Sequence, residues 1–202
     1  MTAPRILGID GSSHLGWAYG TAGERPVSGS FLCAVPGSSR AAVFSGAGRW
    51  ITKFLTDNPV DILAIEAPLP GSFTQGQTNM RTSEILVGIP AVLEFMAFQM
   101  KVYRHERINQ SSVKKHFVRA GKGDQKEAIK QKCLALGWVS KTDDDQSYDR
   151  TDALAVWSYA ESVFAGKFAQ AVDGLFLDSE RKKREAEERT RRSQPSPIPE
   201  RF

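Results

Sequence analysis

The chain has 202 residues, 41% of them hydrophobic and 25% charged, which suits one globular domain with a real core. A formal net charge of +4 and a pI near 9.1 hint at an anionic partner. Its two cysteines, Cys33 and Cys133, stand too far apart for a zinc motif or a disulfide framework, so a reducing cytoplasm is expected.

The N-terminal "MTAPRILGIDG" has too short an apolar run to be expected as a signal peptide. Within it "RILGID", Arg5 to Asp10, reads as a short buried strand that ends in an acid. "GSSHLG" is turn chemistry, "GWAYG" a second strand and "VSGSFLCAV" a third, together an antiparallel meander. "SRAAVFSGAGRWITKFLTDN" has helical periodicity, with Ala42, Val43, Phe44, Trp50, Ile51, Phe54 and Leu55 as its apolar positions. "VDILAIEAP" is another short buried strand, also ending in an acid, Glu66, and stopped by Pro68 and Pro70. A polar loop, "PGSFTQGQTN", precedes a long helix from Met80 to Met100, bent at Pro90. Glu84, Pro90 and Glu94 interrupt its apolar run, so no uninterrupted stretch reaches the length of a membrane span, and no membrane partner is expected.

"KVYRHER" reads as a strand, and "QSSVKKHFVRAG" as a short helix capped by Ser111 or Ser112. "GDQKEAIKQKCLALG" is a helix that starts near Asp124 and stops at Gly137. "VSKTDDDQSY" is a loop, and "DRTDALAVWSYAESVFAG" the last core helix. The order predicts an α/β domain over residues 1–170, a mixed five-stranded sheet flanked by helices. Basic residues gather in "SVKKHFVRAGKGDQKEAIKQK" and in "ERKKREAEERTRR", and residues 171–202 read as a charged, partly disordered tail.

Two buried strands therefore end in single carboxylates, Asp10 and Glu66. In open α/β sheets functional groups gather at strand ends, so the two acids meet if their strands are neighbours. Asp149 and Asp152 start the last helix three residues apart, on one helical face. Two readings stay open for them. Acids suit helix N-termini, with Asp149 as the N-cap and Asp152 in the first turn. Alternatively, all four acids share divalent cations, which take oxygen ligands. Carboxylates packed together repel and their pKa values rise unless cations neutralise them. Two Mg²⁺ ions roughly 4 Å apart can clamp the attacking and leaving oxygens of an in-line phosphoryl displacement.

Taken together, "ILGIDGSSHLGWA", "DILAIEAP", "SSVKKHFVRAGKGDQKEAIKQ" and "DRTDALAVW" resemble the RuvC-type Holliday junction resolvases, which have the RNase H-like fold. The resemblance runs over roughly the first 165 residues; each motif is weak alone, and the four in order are specific. It implies that Asp10 is the central metal ligand, Glu66 the second, and that Asp149 and Asp152 complete a catalytic site. It also implies two Mg²⁺ per site, replaceable by Mn²⁺, and a homodimer acting on branched DNA. Such enzymes place paired symmetric nicks in a four-way junction and leave 5′-phosphate and 3′-hydroxyl ends.

By the same resemblance Lys114, Lys115, Lys122 and Lys126 are candidates for DNA binding. Lys122 lies between Gly121 and Gly123, which allow close backbone approach to a phosphate. The alternative is an ordinary basic surface loop. Phe73, in the loop after Glu66, is a candidate wedge for the junction centre, or a ring tucked onto the domain. Arg81, at the start of the next helix, meets a phosphate or caps a neighbour. The face carrying Ile85, Ile89, Val92, Leu93 and Met96 is in part a dimer interface by resemblance, or is buried within one chain.

The sequence also departs from the family. Asp10-Gly11-Ser12 stands where the family has Asp-Pro-Gly, the loop after Glu66 is longer, and a charged tail follows. These changes bear on junction selectivity rather than chemistry, and fit a phage or plasmid relative. His14 lies on the turn after Asp10, within reach of the site, but reads as structural because it is a lone histidine. Asp143, Asp144 and Asp145 read as solvated. Three competing functions differ in what they require. A broader nuclease would cut flaps, forks or structured RNA with the same acids. A non-catalytic junction-binding protein would lack one of them. A sugar-kinase-like ATPase, suggested by "GIDGSSHLGWA", would need two such domains.

Overall fold

The computed structural model describes residues 2–68, 80–118 and 124–169. Phe73, Lys122 and the tail from residue 170 lie outside the described residues. Five strands form one sheet: β1 (Arg5–Asp10), β2 (His14–Thr21), β3 (Val27–Leu32), β4 (Ile62–Ala67) and β5 (His105–Asn109). Their spatial order is β3-β2-β1-β4-β5. The first three pair antiparallel, as the meander predicts, whereas β4 and β5 run parallel to β1. Helices α1 (Arg40–Asp57) and α2 (Met80–Gln99) cover one face. Helices α3 (Gln110–Val118), α4 (Gln125–Ala135) and α5 (Tyr148–Phe164) cover the other. This is the mixed α/β sheet that the element order implies, in the RNase H-like arrangement that the motif resemblance implies.

The period of two along a strand sorts its side chains between the two cores. Ile6 on β1 and Ile62 and Ala64 on β4 pack beneath α5. Leu7, Ile9, Leu63 and Ile65 pack beneath α1 and α2. Asp10 and Glu66 continue the first set, so both acids fall on the α5 face at the ends of their strands. The register pairs Ile9 with Ile65, which makes the two acids the next step of the same ladder.

Small residues let α5 lie close to the sheet. A Cβ on Gly8 would sit 2.8 Å from the Trp157 nitrogen, and one on Gly16 would sit 1.8 Å from the Asp149 carbonyl oxygen. Any side chain at either position would push the helix off its strands. Trp157 is fully buried there, and its Nε1–H donates to the Ile6 carbonyl at 3.1 Å.

Several boundaries differ from the sequence reading for local reasons. β5 begins at His105 rather than Lys101, because residues 101 and 102 finish the preceding helix. Lys101 takes a left-handed φ of 66°, and the amides of Lys101 and Val102 donate to the carbonyls of Phe98 and Ala97. That pair of bonds satisfies the last carbonyls of α2 in a Schellman motif. Helix α3 starts at Gln110, with Asn109 Oδ1 accepting from Ser111 N at 2.8 Å, so neither serine is the cap. Asp124 does cap α4, accepting from the amides of Lys126 and Glu127.

Helix α2 has the length and mean hydropathy, 1.2, of a membrane span, yet one side packs as core. Ile89, Leu93 and Ala97 are fully buried, and Ile85 and Met96 pack against them. Its acids are paired as well, Glu84 with Arg40 and Glu94 with Arg107. Of the two readings of this face, a dimer interface in part or burial within one chain, most of it takes the second, because α2 closes the core over β1 and β4. The large apolar side chains that α2 leaves exposed are Met80 at 78%, Val87 at 40%, Phe95 at 61% and Phe98 at 55%.

Candidate functional site

Asp10, Glu66, Asp149 and Asp152 line a single pocket of about 200 Å³. Asp10 and Glu66 come from adjacent parallel strands, and the aspartates come from the first turns of α5. Ser147, not Asp149, is the N-cap of that helix, with its hydroxyl accepting from Arg150 N at 3.3 Å. The capping reading of Asp149 is thus corrected: a serine already supplies the cap, which leaves Asp149 free to turn towards the pocket.

Electrostatics in the pocket follow from burial and crowding. Burial pushes Asp10 well above the usual carboxylate range; the charges of Glu66, Asp152 and Asp149 add to it, and Lys126 opposes it. Burial also raises Glu66, opposed first by a hydrogen bond from Gln110 and helped by the charge of Asp152. A hydrogen bond between the Asp10 and Glu66 side chains also opposes the rise at Glu66. Asp152 is pushed up to about 6 by burial, against the pull of Lys126 and Lys114.

Two oxygens, Glu66 Oε1 and Asp152 Oδ1, are buried with no hydrogen-bond partner. Such orphans are costly and call for an explanation. A hard divalent cation would satisfy both, since the pocket offers carboxylate oxygens of the kind these ions take. Among the described residues, no three histidine, cysteine or acidic side chains converge into a finished metal cage. The pocket is instead a loose ring of acids.

The basic candidates divide. Lys114 and Lys126 line the pocket, and Lys126 Nζ lies 3.7 Å from Asp152 Oδ2. Lys115, on the next position of α3, is exposed and does not line the pocket. Arg81 is exposed at the start of α2 and donates to the carbonyl of Ser38, away from the acids. It ties α2 to the segment before α1.

Three features of the site were not assigned from the sequence. Gln110, the first residue of α3, lines the pocket and bonds Glu66. Arg150, between the two aspartates, has only 11% of its side chain exposed and pairs with Asp143 at 2.8 Å. It also donates to Ser28 Oγ at 2.9 Å and to the Asp145 carbonyl at 2.8 Å. Asp143 is therefore not a solvated acid; with Arg150 it fixes the loop before α5 to β3. An arginine wedged into an acidic motif was the available signal. The third is His14, whose Nδ1 lies 2.6 Å from Asp149 Oδ2.

Sheet order, helix placement and an acidic pocket at the ends of β1 and β4 define an RNase H-like α/β domain. No protein-family model matches the chain, and no curated protein matches it in sequence. Solved structures do. RuvC of Thermus thermophilus has a TM-score of 0.58 at 17% identity, covering 80% of this chain and 96% of its own. The same RuvC in complex with a Holliday junction substrate has a TM-score of 0.59 at 14% identity, with 81% and 95% covered. The yeast mitochondrial Holliday junction resolvase Ydc2 has a TM-score of 0.57 at 9% identity, with 79% and 78% covered. At such identities the likeness shows a shared fold, and that fold is the one implied by the motif resemblance.

Proposed function

We propose that this protein is a metal-dependent endonuclease that resolves four-way DNA junctions by paired symmetric nicks. Its products would carry 5′-phosphate and 3′-hydroxyl ends. The observation that carries the reading is the pocket itself: Asp10, Glu66, Asp149 and Asp152 line it together, and two of their oxygens are buried without partners. The fold likeness supports it, since the related structures are resolvases and one of them holds a junction.

The four acids would hold two Mg²⁺, or Mn²⁺ in its place. When bound, such ions supply charge neutralisation at the scissile phosphate and a water acidified towards hydroxide. The chain's own residues have separate tasks. Gln110 holds one oxygen of Glu66 and so orients the other. Lys114 and Lys126, on the pocket wall, attract the phosphate backbone and position it without reading sequence.

Two symmetric nicks need two sites, and so a twofold pair of chains. The exposed apolar side chains of α2, Val87, Phe95 and Phe98, support such a pairing.

The test is cleavage of a labelled synthetic four-way junction with Mg²⁺, beside linear duplex and flap controls, with Asp152→Asn in parallel. Paired symmetric nicks confined to the junction, and lost in the variant, are the expected result. Cutting of flaps instead would move the function to a broader structure-selective nuclease. Cutting by Asp10→Asn would remove the metal-site reading altogether.

A further inference from the structure

We infer that His14 is a positioning residue for Asp149: it commits one carboxylate oxygen and leaves the other for a divalent cation. This rests on the metal-site reading above and goes beyond the four acids. Three observations carry it. His14 Nδ1 and Asp149 Oδ2 are 2.6 Å apart, short enough for a hydrogen bond in which Nδ1–H donates and the carboxylate accepts.

The backbone fixes this distance. His14 and Gly16 lie on the face of β2 that α5 covers, while Leu15 between them is buried on the opposite face. With no side chain on Gly16, the carbonyl of Asp149 rests directly on the strand, where a Cβ would come within 1.8 Å. The imidazole two residues earlier is thereby brought alongside the Asp149 carboxylate.

His14 is held in its turn. Its amide donates to Ser12 Oγ at 3.1 Å, and Ser12 Oγ donates back to the His14 carbonyl at 2.7 Å. Ser12 is itself on the pocket wall. The turn after Asp10 thus places β2 so that its first residue serves the site. Asp149 has 28% of its side chain exposed. Without the imidazole its carboxylate could rotate into solvent. Partners of this kind, behind a metal ligand, typically change metal affinity by about 10–100-fold when removed.

The experiment is isothermal titration of the full-length protein with MnCl₂, without DNA, for the wild type and His14→Leu, His14→Asn and Asp152→Asn. Asparagine can place a donor near the Nδ1 position; leucine cannot. The expected result is Mn²⁺ affinity weakened about tenfold in His14→Leu and restored to within about threefold of wild type in His14→Asn. Thermal melting in EDTA should be alike in the histidine variants and the wild type. Unchanged affinity in His14→Leu overturns the inference while leaving the metal site standing. Equal weakening in both histidine variants, with a lower melting temperature in EDTA, overturns it in favour of a purely structural role. If the wild type binds no more Mn²⁺ than Asp152→Asn, the metal-site reading fails, and the inference with it.

Discussion

The first turns of α5 and the turns that follow them obey opposite physics within one helix. From Ala153 to Trp157 every residue is fully buried, and Ala160 joins them, all packed on the strands below. The N-terminal end carries Asp149 and Asp152 into a pocket with two other acids, where one oxygen of Asp152 finds no partner. The apolar part gains stability from packing, and that gain holds charges where they would not stay by themselves. A site of repelling acids is tolerated because the same rigid helix is anchored a few residues later.

The largest effect should come from breaking the anchor. Trp157→Ala removes a fully buried aromatic and its bond to Ile6, and should lower the unfolding free energy by about 3–5 kcal/mol, read by urea denaturation. Changing the other end should do the reverse. Asp152→Asn should abolish cleavage yet stabilise the metal-free protein at neutral pH, by about 1–3 kcal/mol, since one pKa unit is worth about 1.4 kcal/mol.

The sign of that change fixes its pH dependence. The Asp152 carboxyl is raised in the folded state to about 6. Its contribution to stability is therefore fully present below the unfolded value, about 4, and is lost as pH rises through about 6. The advantage of Asp152→Asn should vanish near pH 4 and grow up to pH 7. Parallel thermal melts in EDTA across that range would check it, and an advantage independent of pH would contradict it.

At the rim the changes are smaller. Lys114→Ala should weaken junction binding several-fold, uniformly across sequences. It should also make the salt dependence shallower by about one unit of slope, as expected for one lost phosphate contact. Far from α5, the Arg5–Asp61 pair lies on the surface with roughly two-fifths of each side chain exposed. Arg5→Ala should cost less than about 1 kcal/mol. The bonds from Arg5 hold Asp61 below the usual carboxylate range. That small contribution is present above the ordinary aspartate value and is lost as pH falls from there through the lower folded value.

Most of the scaffold was legible because it depends on local pattern. Short apolar runs that end in Asp10 and Glu66, the turn after the first, the Asp124 cap and the Gly137 stop are each set within a few residues. Gly137 takes a φ of 69°, which is why the helix ends there. The boundary missed at Lys101 involved a non-glycine residue in a left-handed conformation, which carries no sequence signal. Helix α2 misled for another reason. Its composition is apolar nearly all round, so periodicity could not say which side meets the core; packing against α1 and the sheet decided that Leu93 is buried and Phe95 exposed.

The site divides in the same way. Single acids at the ends of two apolar strands and an acidic pair at the start of one apolar helix singled out the four acids. That the acids share a pocket depends on β1 and β4 being parallel neighbours, a pairing between segments more than fifty residues apart. The partners of Asp149 and Glu66, His14 and Gln110, were fixed only by tertiary structure. A lone histidine or glutamine carries no spacing signal; the bond between His14 and Asp149 exists only once Gly16 has let α5 settle onto β2, and that between Gln110 and Glu66 only once α3 has packed beside β4. Sequence alone determined which groups the protein can use; the close seating of helix on strand decided which of them meet.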